Sequence, residues 1–574
     1  MQNLHPERGY GHRGLDILNK NPYNQALEEK VAIRVKDIKR NDSRLPSHFI
    51  LCHTLAAMRF KQSAFIFLFV TIMLTVGRQE ANADPSFQPW NQFRGPNGSG
   101  VAKDCQPPLK PESSLQAWKT PIPPGLSSPV ILEGKIFLTA VENDRLVTLA
   151  FESKSGRVLW RRQAPEVALE RVHKTSSPAT STPLVDANHV YVYFGSYGMI
   201  CYDHDGMEKW TKKIPTPGSL YGMSTSPISY KSNVIMVIDN DNNLPNSRLS
   251  QSKIVAFDKK TGQVAWEAGR PHHRSGWSTP MIWNHGGDKE LVVLGSGHVR
   301  SYNPDTGAEK WFVGGFSRET IAIPISGNGH VYISSAQLGG VADKKIDPEP
   351  FWQAIMGFDA NKDGKLERKE MTGDFTYPLR PELPPGHAGF GIPLPKDKNQ
   401  RNNRLDGIFG WVDRNRDGYW TNEEYIAHMA FRRGKPLLVA IKPGGKGNIE
   451  ESHVTWELNR SIPEIPSPLF HKNLIYLVRN GGLLAAVDAK EGNQLYRERL
   501  GGSGQYSASP VLANDHLYLI SSLGLMSVVK TGREFNLIHS YDLEEPVFVT
   551  PAIDASTMYI RTEKSLVALR SKNK

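Results

Sequence analysis

The stretch "VAFDKKTGQVAW" (255–266) decides the fold. An alternating apolar run enters, Asp258 and Gly262 bracket a turn, and a second run ends on Trp266, which is the pattern of a β-hairpin. The Gly permits positive φ and the Trp offers a large apolar surface to whatever lies beside the hairpin. The phrase recurs as "LAFESKSGRVLW" (149–160), "ICYDHDGMEKW" (200–210), "RSYNPDTGAEKW" (300–311) and, more weakly, "AAVDAKEGNQLY" (485–496). "LVAIKPGG" leading to "VTW" (438–456) is an expanded copy; "MSVVKTGREFNLI" (526–538) and "LVALR" (566–570) are degenerate ones.

A second mark precedes each hairpin: in most copies a hydroxyl residue, then Pro, then a strand. The prolines are 129, 183, 227, 280, 324, 468, 510 and 551, separated by 54, 44, 53, 44, 144, 42 and 41 residues. A four-stranded propeller blade takes roughly 40–50 residues. Six gaps therefore fit one blade each, and the fifth is too long by about ninety residues on that spacing. The expectation is an all-β, eight-bladed β-propeller with a small α-helical insert in the fifth blade; a seven-blade count stays open because two copies are degenerate. The last copy lacks its Trp strand, and "LQAWKTPI" (115–122) supplies one, so the start of the chain is expected to complete the last blade.

The repeat resembles that of the pyrroloquinoline-quinone-type propellers, which include quinoprotein alcohol dehydrogenases and the propeller lipoprotein of the outer-membrane barrel-assembly machinery. The resemblance covers residues 115–343 and 437–574. "QFRGPNGSGVA" (92–102) and "HKTSSPATSTPLVDANHVYVYFGSYGMICYDHDG" (173–206) are similar to a group of exported bacterial propellers of this repeat. The resemblance to the dehydrogenases implies a quinone over a vicinal disulfide, with a catalytic Asp beside a calcium. No adjacent cysteines occur among Cys52, Cys105 and Cys201, and no match to the Asp–calcium arrangement is found, so pyrroloquinoline quinone is not supported by motif residues. Fold alone does not give activity.

The overlong gap holds residues 344–436. Within it "DANKDGKLERKE" (359–370) matches the EF-hand loop. Asp359, Asn361 and Asp363 stand at positions 1, 3 and 5, Gly364 turns the chain, Lys365 gives a backbone carbonyl, Glu367 acts through water and Glu370 closes the cage. "DRNRDGYWTNEE" (413–424) places Asp413, Asn415, Asp417, Gly418, Tyr419, Thr421 and Glu424 in the same order. Such an oxygen set suits Ca²⁺. The loops are 54 residues apart, with Leu366 and Trp420 at position 8, so their pairing is left open.

Composition bounds the rest. The 574 residues are 39% hydrophobic with net charge +11, of which residues 1–83 carry +5. With no concentrated basic face, nucleic-acid binding is not expected. "MRFKQSAFIFLFVTIMLTVGRQEANADP" from Met58 reads as a signal peptide (58–83) cleaved before Asp84, too short in its apolar run for a membrane span. Met58 is then the expected start, residues 1–57 an artefact of the assigned one, and residues 84–114 an N-terminal extension. No Cys follows the apolar run closely, so the lipoprotein signal is missing. Cys105 and Cys201 are expected as buried thiols, a disulfide between them being the other option. His173, His272, His273, Arg274 and Arg318 are candidates for the channel mouth. The hydroxyls of Ser128, Thr182, Ser226, Thr279, Ser467, Ser509 and Thr550 either ring the channel or satisfy backbone at strand starts, the second being favoured. The expected function is an exported, periplasmic or extracellular binding or scaffold module that carries calcium and engages a protein or envelope component. Its rivals are a quinone-dependent oxidoreductase and an outer-membrane assembly factor.

Overall fold

The computed structural model describes residues 89–572 apart from 220, 241–250, 271–272, 274–275, 318, 337–348, 372–375, 379–390, 414–415 and 426–435. The segments expected as leader (1–57) and signal peptide (58–83), and Cys52, lie outside the described residues.

Eight antiparallel sheets of four strands follow one another along the chain. Blade one is Val130–Leu132, Lys135–Glu142, Arg145–Glu152 and Val158–Gln163, ordered from the inside outward. The inner strands of the eight blades begin at Val130, Leu184, Ile228, Met281, Ile325, Leu469, Val511 and Ala552, each directly after one of the eight prolines. A residue without an N–H is accommodated at a strand start, where it removes no ladder bond. The chain beginning supplies the last outer strand: Gln116–Pro121 pairs antiparallel with Ser565–Arg570, so the ring closes between residues from opposite ends of the propeller sequence. Two blades gain a fifth strand. Val101–Ala102 runs parallel to the inner strand of blade seven, and Gly447–Asn448, inside the expanded turn of blade five, runs parallel to the outer strand of blade four.

The repeat phrase works between blades as well as within them. The indoles of Trp118, Trp160, Trp210, Trp266 and Trp456 each lie on the turn glycine of the following blade: Gly156, Gly206, Gly262, Gly307 and Gly492. Those glycines have φ between +67° and +79°, and a Cβ on any of them would come within 2.4–2.7 Å of the ring. Each indole Nε1 also donates to a carbonyl of that turn: Ser153, His204, Lys259, Pro304 and Ala489, at 2.8–3.2 Å. Both features of the turn are thus fixed by the neighbour's Trp. Trp311 departs from the pattern because blade five has an expanded turn. Its Nε1 donates instead to the buried Glu290 of its own blade at 2.7 Å. Glu290 also accepts from Ser301 and Lys310, and these bonds outweigh burial to hold its carboxyl below the ordinary range.

A second inter-blade system runs round the inner strands. Ser128 N–H donates to Thr182 Oγ1, Thr182 N–H to Ser226 Oγ, and Ser226 N–H to Thr279 Oγ1, each at 3.0 Å. Ile323 N–H donates to Ser467 Oγ, Ser467 N–H to Ser509 Oγ and Ser509 N–H to Thr550 Oγ1, at 2.9–3.1 Å. In these six bonds the hydroxyl of one blade accepts a backbone N–H of the blade before it. These hydroxyls satisfy backbone at strand starts, as favoured from sequence, and Ile323 replaces the hydroxyl in blade five.

Candidate functional site

The two ends of the axial channel differ. Inner strands start at the hydroxyl ring, so the loops joining one blade to the next share that end. In an up-and-down sheet, the connection between second and third strands lies there too. The insert is such a connection, leaving His330–Ser335 and returning at Leu437–Ile441.

Residues 90–102 run across the inner faces of the blades. Trp90 O accepts from Ile131 N (2.7 Å), Asn91 O from Val185 N (2.8 Å), and Gly100 O from Leu512 N (2.8 Å). Asn97 exchanges two side-chain bonds with the backbone of Ile282, at 2.7 and 3.0 Å. Residues 131, 185, 282 and 512 occupy one equivalent position, three past the ring hydroxyl, in blades one, two, four and seven. Gly98 sits so close to Ile323 of blade five that a Cβ would come within 2.6 Å of its Cδ1, and Arg94 Nη2 donates to Pro468 O of blade six at 2.8 Å. This strap therefore touches six blades, at their inner strands or at the residues just before them. The "FRGPNGSG" phrase was recognisable in sequence only by resemblance. Its partners are single residues in six blades and leave no local period.

At the open end, the carboxyl of Glu170 is pushed up to about 7 by burial. Its Oε1 has no hydrogen-bond partner among the described residues, and a Cβ on Gly195 would lie 2.3 Å from it. The His173 ring meets Tyr221 edge-on at 5.3 Å, and Tyr221 meets Trp277 likewise. His273 is buried, with Arg300 Nε at 3.3 Å from its Nε2, so it forms part of the wall between loops. His272, Arg274 and Arg318 lie outside the described residues. Cys105 and Cys201 are buried, unpaired and in separate apolar clusters, the alternative favoured from sequence.

The insert has an apolar cluster of its own: Trp352, Ile355, Leu366, Met371, Leu405, Ile408, Phe409, Val412, Trp420 and Tyr425. Helix α1 (Glu349–Ile355) leads to the first loop and α2 (Lys398–Val412) to the second. In the first loop Asp359 Oδ2 accepts from Gly364 N (3.0 Å), Asn361 Oδ1 from Asp363 N, and Asp363 Oδ1 from Lys365 N (both 2.9 Å). Gly364 has φ +79°. Glu370 accepts from Ala360, Asn361 and Glu367 N–H groups at 2.8–3.3 Å. The second loop repeats this: Asp413 Oδ2 accepts from Gly418 N (3.1 Å), Asp417 Oδ1 from Tyr419 N (3.0 Å), and Gly418 has φ +89°. Glu424 Oε2 accepts from Thr421 N and Oγ1. Asn415 lies outside the described residues.

The loops pair. Leu366 faces Trp420 and Glu367 faces Tyr419 in a two-residue antiparallel ladder. Leu366 and Trp420, the unusual position-8 residues, are fully buried, and Trp420 stacks on Phe409 at 5.3 Å while donating to its carbonyl. Lys365 lies over the Tyr419 ring at 5.1 Å.

In both loops the position-1 carboxylate keeps one buried oxygen, Asp359 Oδ1 and Asp413 Oδ1, without a partner. Burial raises the Asp413 carboxyl, and Glu424 and Asp417 add to the effect. Among the described residues no three His, Cys, Asp or Glu side chains are gathered into one cluster. Glu370 and Glu424 instead bond local N–H and hydroxyl groups.

The blades and their repeat define a β-propeller of the pyrroloquinoline-quinone repeat type. The family model described as outer membrane protein assembly factor BamB matches residues 109–273 and, overlapping, 174–343. No curated protein matches the chain. Among solved structures, BamB from Moraxella catarrhalis is 8% identical over 79% of this chain and 99% of its own, with a TM-score of 0.45. The computationally designed Ika8 protein is 10% identical with the same coverages and TM-score. The quinohemoprotein alcohol dehydrogenase ADHIIG from Pseudomonas putida HK5 is 11% identical over 85% of this chain and 81% of its own, with a TM-score of 0.43. Among the described residues no helix is long and apolar enough to cross a membrane.

Proposed function

We propose that the protein is an exported binding or scaffold propeller, working in the periplasm or outside the cell, whose fifth-blade insert is an EF-hand pair that takes Ca²⁺. One observation carries the calcium reading: the same oxygen is buried and unpartnered at position 1 of both loops, Asp359 Oδ1 and Asp413 Oδ1. A buried carboxylate oxygen without a donor is costly, and a hard cation is the partner that this donor set suits. Asp359, Asn361, Asp363, the Lys365 carbonyl and Glu370 would hold one ion. Asp413, Asn415, Asp417, the Tyr419 carbonyl and Glu424 would hold the other. Affinity at the extracellular end of the EF-hand range, about 10⁻⁴–10⁻³ M, makes the ions structural.

The scaffold reading is supported by the strap, which commits inner faces of six blades to the chain itself and leaves the interblade loops and the insert to meet a protein or envelope partner. The residues present do not fit a quinone: Cys105 and Cys201 are far apart in the repeat and buried in different clusters, so neither forms a vicinal disulfide.

The test is thermal unfolding of residues 84–574 with calcium against chelator. The wild type gains melting temperature with millimolar calcium, and Glu370→Gln with Glu424→Gln removes the gain. No gain in the wild type refutes the calcium reading. Added pyrroloquinoline quinone that yields a cofactor spectrum and dye reduction refutes the scaffold reading. Co-purification from the native envelope names the partner.

A further inference from the structure

Six large apolar side chains are exposed among the described residues. Met207, Val264 and Leu537 stand in or beside turns between third and fourth strands, and Leu109 lies in the N-terminal extension. Leu523 and Phe548, 59% and 41% exposed, instead lie at the end that carries the interblade loops. Leu523 is in the turn between the second and third strands of blade seven, and Phe548 in the loop from blade seven to blade eight. An isolated exposed Leu needs no explanation, whereas a contiguous apolar surface with a polar rim does.

Backbone bonds make this surface contiguous and carry it across the seam where the ring closes. Leu543 N donates to Gly524 O (3.1 Å), Glu563 N to Pro546 O (2.8 Å), Ile122 N to Lys564 O (3.0 Å) and Val141 N to Pro124 O (2.8 Å). The Leu523 turn, the loop bearing Phe548, the turn at Glu563, the segment 121–124 and the turn after Val141 therefore lie side by side. The row ends in a groove of about 580 Å³, lined by the segment 121–124 and Val141 with Glu142, Asp144 and Arg161 among them.

The charges along the row do not balance. Lys119 pairs with Glu545, Arg145 with Glu166 and Arg161 with Glu142. Asp144, Asp542, Glu544 and Glu563 are exposed and have no ion pair among the described residues, against Lys564 alone. This acid-rimmed apolar row stands on a chain whose net charge is +11. An apolar centre with a charged rim is the layout of a protein interface, and the rim selects the sign of the partner. A second copy docked by a two-fold axis would set these carboxylates against themselves, and an anionic lipid surface would be repelled.

We propose that the row from Leu523 to the groove at Val141 is a docking surface for a cationic amphipathic segment of a partner protein. Its apolar side chains would lie on Leu523, Phe548 and the groove, and its Lys or Arg side chains against the free carboxylates. The proposal rests on the scaffold reading and gives the partner its chemistry.

The experiment titrates residues 84–574 into a fluorescent amphipathic peptide of Leu and Lys, read by anisotropy, with a Leu–Glu peptide of the same pattern as control. The wild type binds the Leu–Lys peptide saturably, one per chain, and leaves the Leu–Glu peptide free. Leu523→Ser with Phe548→Ser weakens binding about tenfold or more, the effect of truncating interface anchors. Asp144→Asn with Glu563→Gln weakens it and flattens its salt dependence, and carries the test if the first variant fails to fold. Equal binding of both peptides, or binding unchanged in both variants, overturns the proposal. So does a wild-type dimer by sedimentation, or wild-type binding to phosphatidylcholine vesicles, that Leu523→Ser with Phe548→Ser abolishes. The scaffold reading fails separately: quinone-dependent dye reduction removes it, whereas a native envelope partner retained by both variants removes this surface alone.

Discussion

The interlock of tryptophan on glycine gives a differential prediction. Gly262→Ala places a Cβ 2.6 Å from the Trp210 ring at φ +67°, whereas Gly286→Ala places one at φ +53° with no atom within 4 Å. Both carry the left-handed penalty of about 1–2 kcal/mol for an L side chain. Only the first must also push the indole aside, at about 1–3 kcal/mol for overpacking, and weaken the 3.0 Å bond from Trp210 Nε1 to Lys259 O, worth about 1 kcal/mol. The expected loss is therefore about 3–6 kcal/mol for G262A against about 1–2 for G286A. Guanidinium unfolding of the two variants and wild type, followed by far-UV circular dichroism and Trp fluorescence, measures both losses. Equal losses would refute the claim that the Trp–Gly contact, rather than turn conformation alone, joins the blades.

Thr182→Val removes the acceptor of the buried Ser128 N–H and should cost about 1–3 kcal/mol in the same denaturation assay, while Thr182→Ser, which keeps the hydroxyl, should be near neutral. Glu170 gives a pH dependence. Its folded pKa of about 7 lies above the ordinary carboxyl value of 4.5, so the folded state holds the proton more tightly. Its contribution is fully present below about 4.5 and is lost as pH rises toward 7. Melting curves between pH 5 and 8 should show that decline in the wild type and a flatter profile in Glu170→Gln; parallel profiles would sink the assignment.

The eight prolines located every inner strand because a missing N–H and a strand start coincide in each copy. Gly262 and its equivalents located the turns because only a glycine meets both the dihedral and the indole above it. The strand 116–121 was legible for a different reason: the last copy had a vacancy of the right length. The strap was not legible as a strap. Trp90, Asn91, Asn97 and Gly100 each meet a different blade, and contacts spread singly along a sequence produce no periodicity. The strand Gly447–Asn448 was hidden similarly, since an expanded turn does not announce whose edge it will join. In the insert, the loop residues were readable one by one from their spacing. The pairing of Leu366 with Trp420 was not, because a large residue at position 8 signals pairing only once Phe409 is known to stack beneath it.

The outer strand of blade eight has a consequence for how the molecule is made. Trp118 lies opposite Ala568. A chain that emerges from a ribosome amino end first therefore presents residues 116–121 as an unpartnered edge until residues 565–570 have appeared. The blades between can form locally, hairpin by hairpin, but the ring stays an open arc through the whole of that time. Closure is thus the contact of greatest sequence separation and is expected to come late. An arc whose first and last edges both want a strand is also the species most prone to pair with a neighbour.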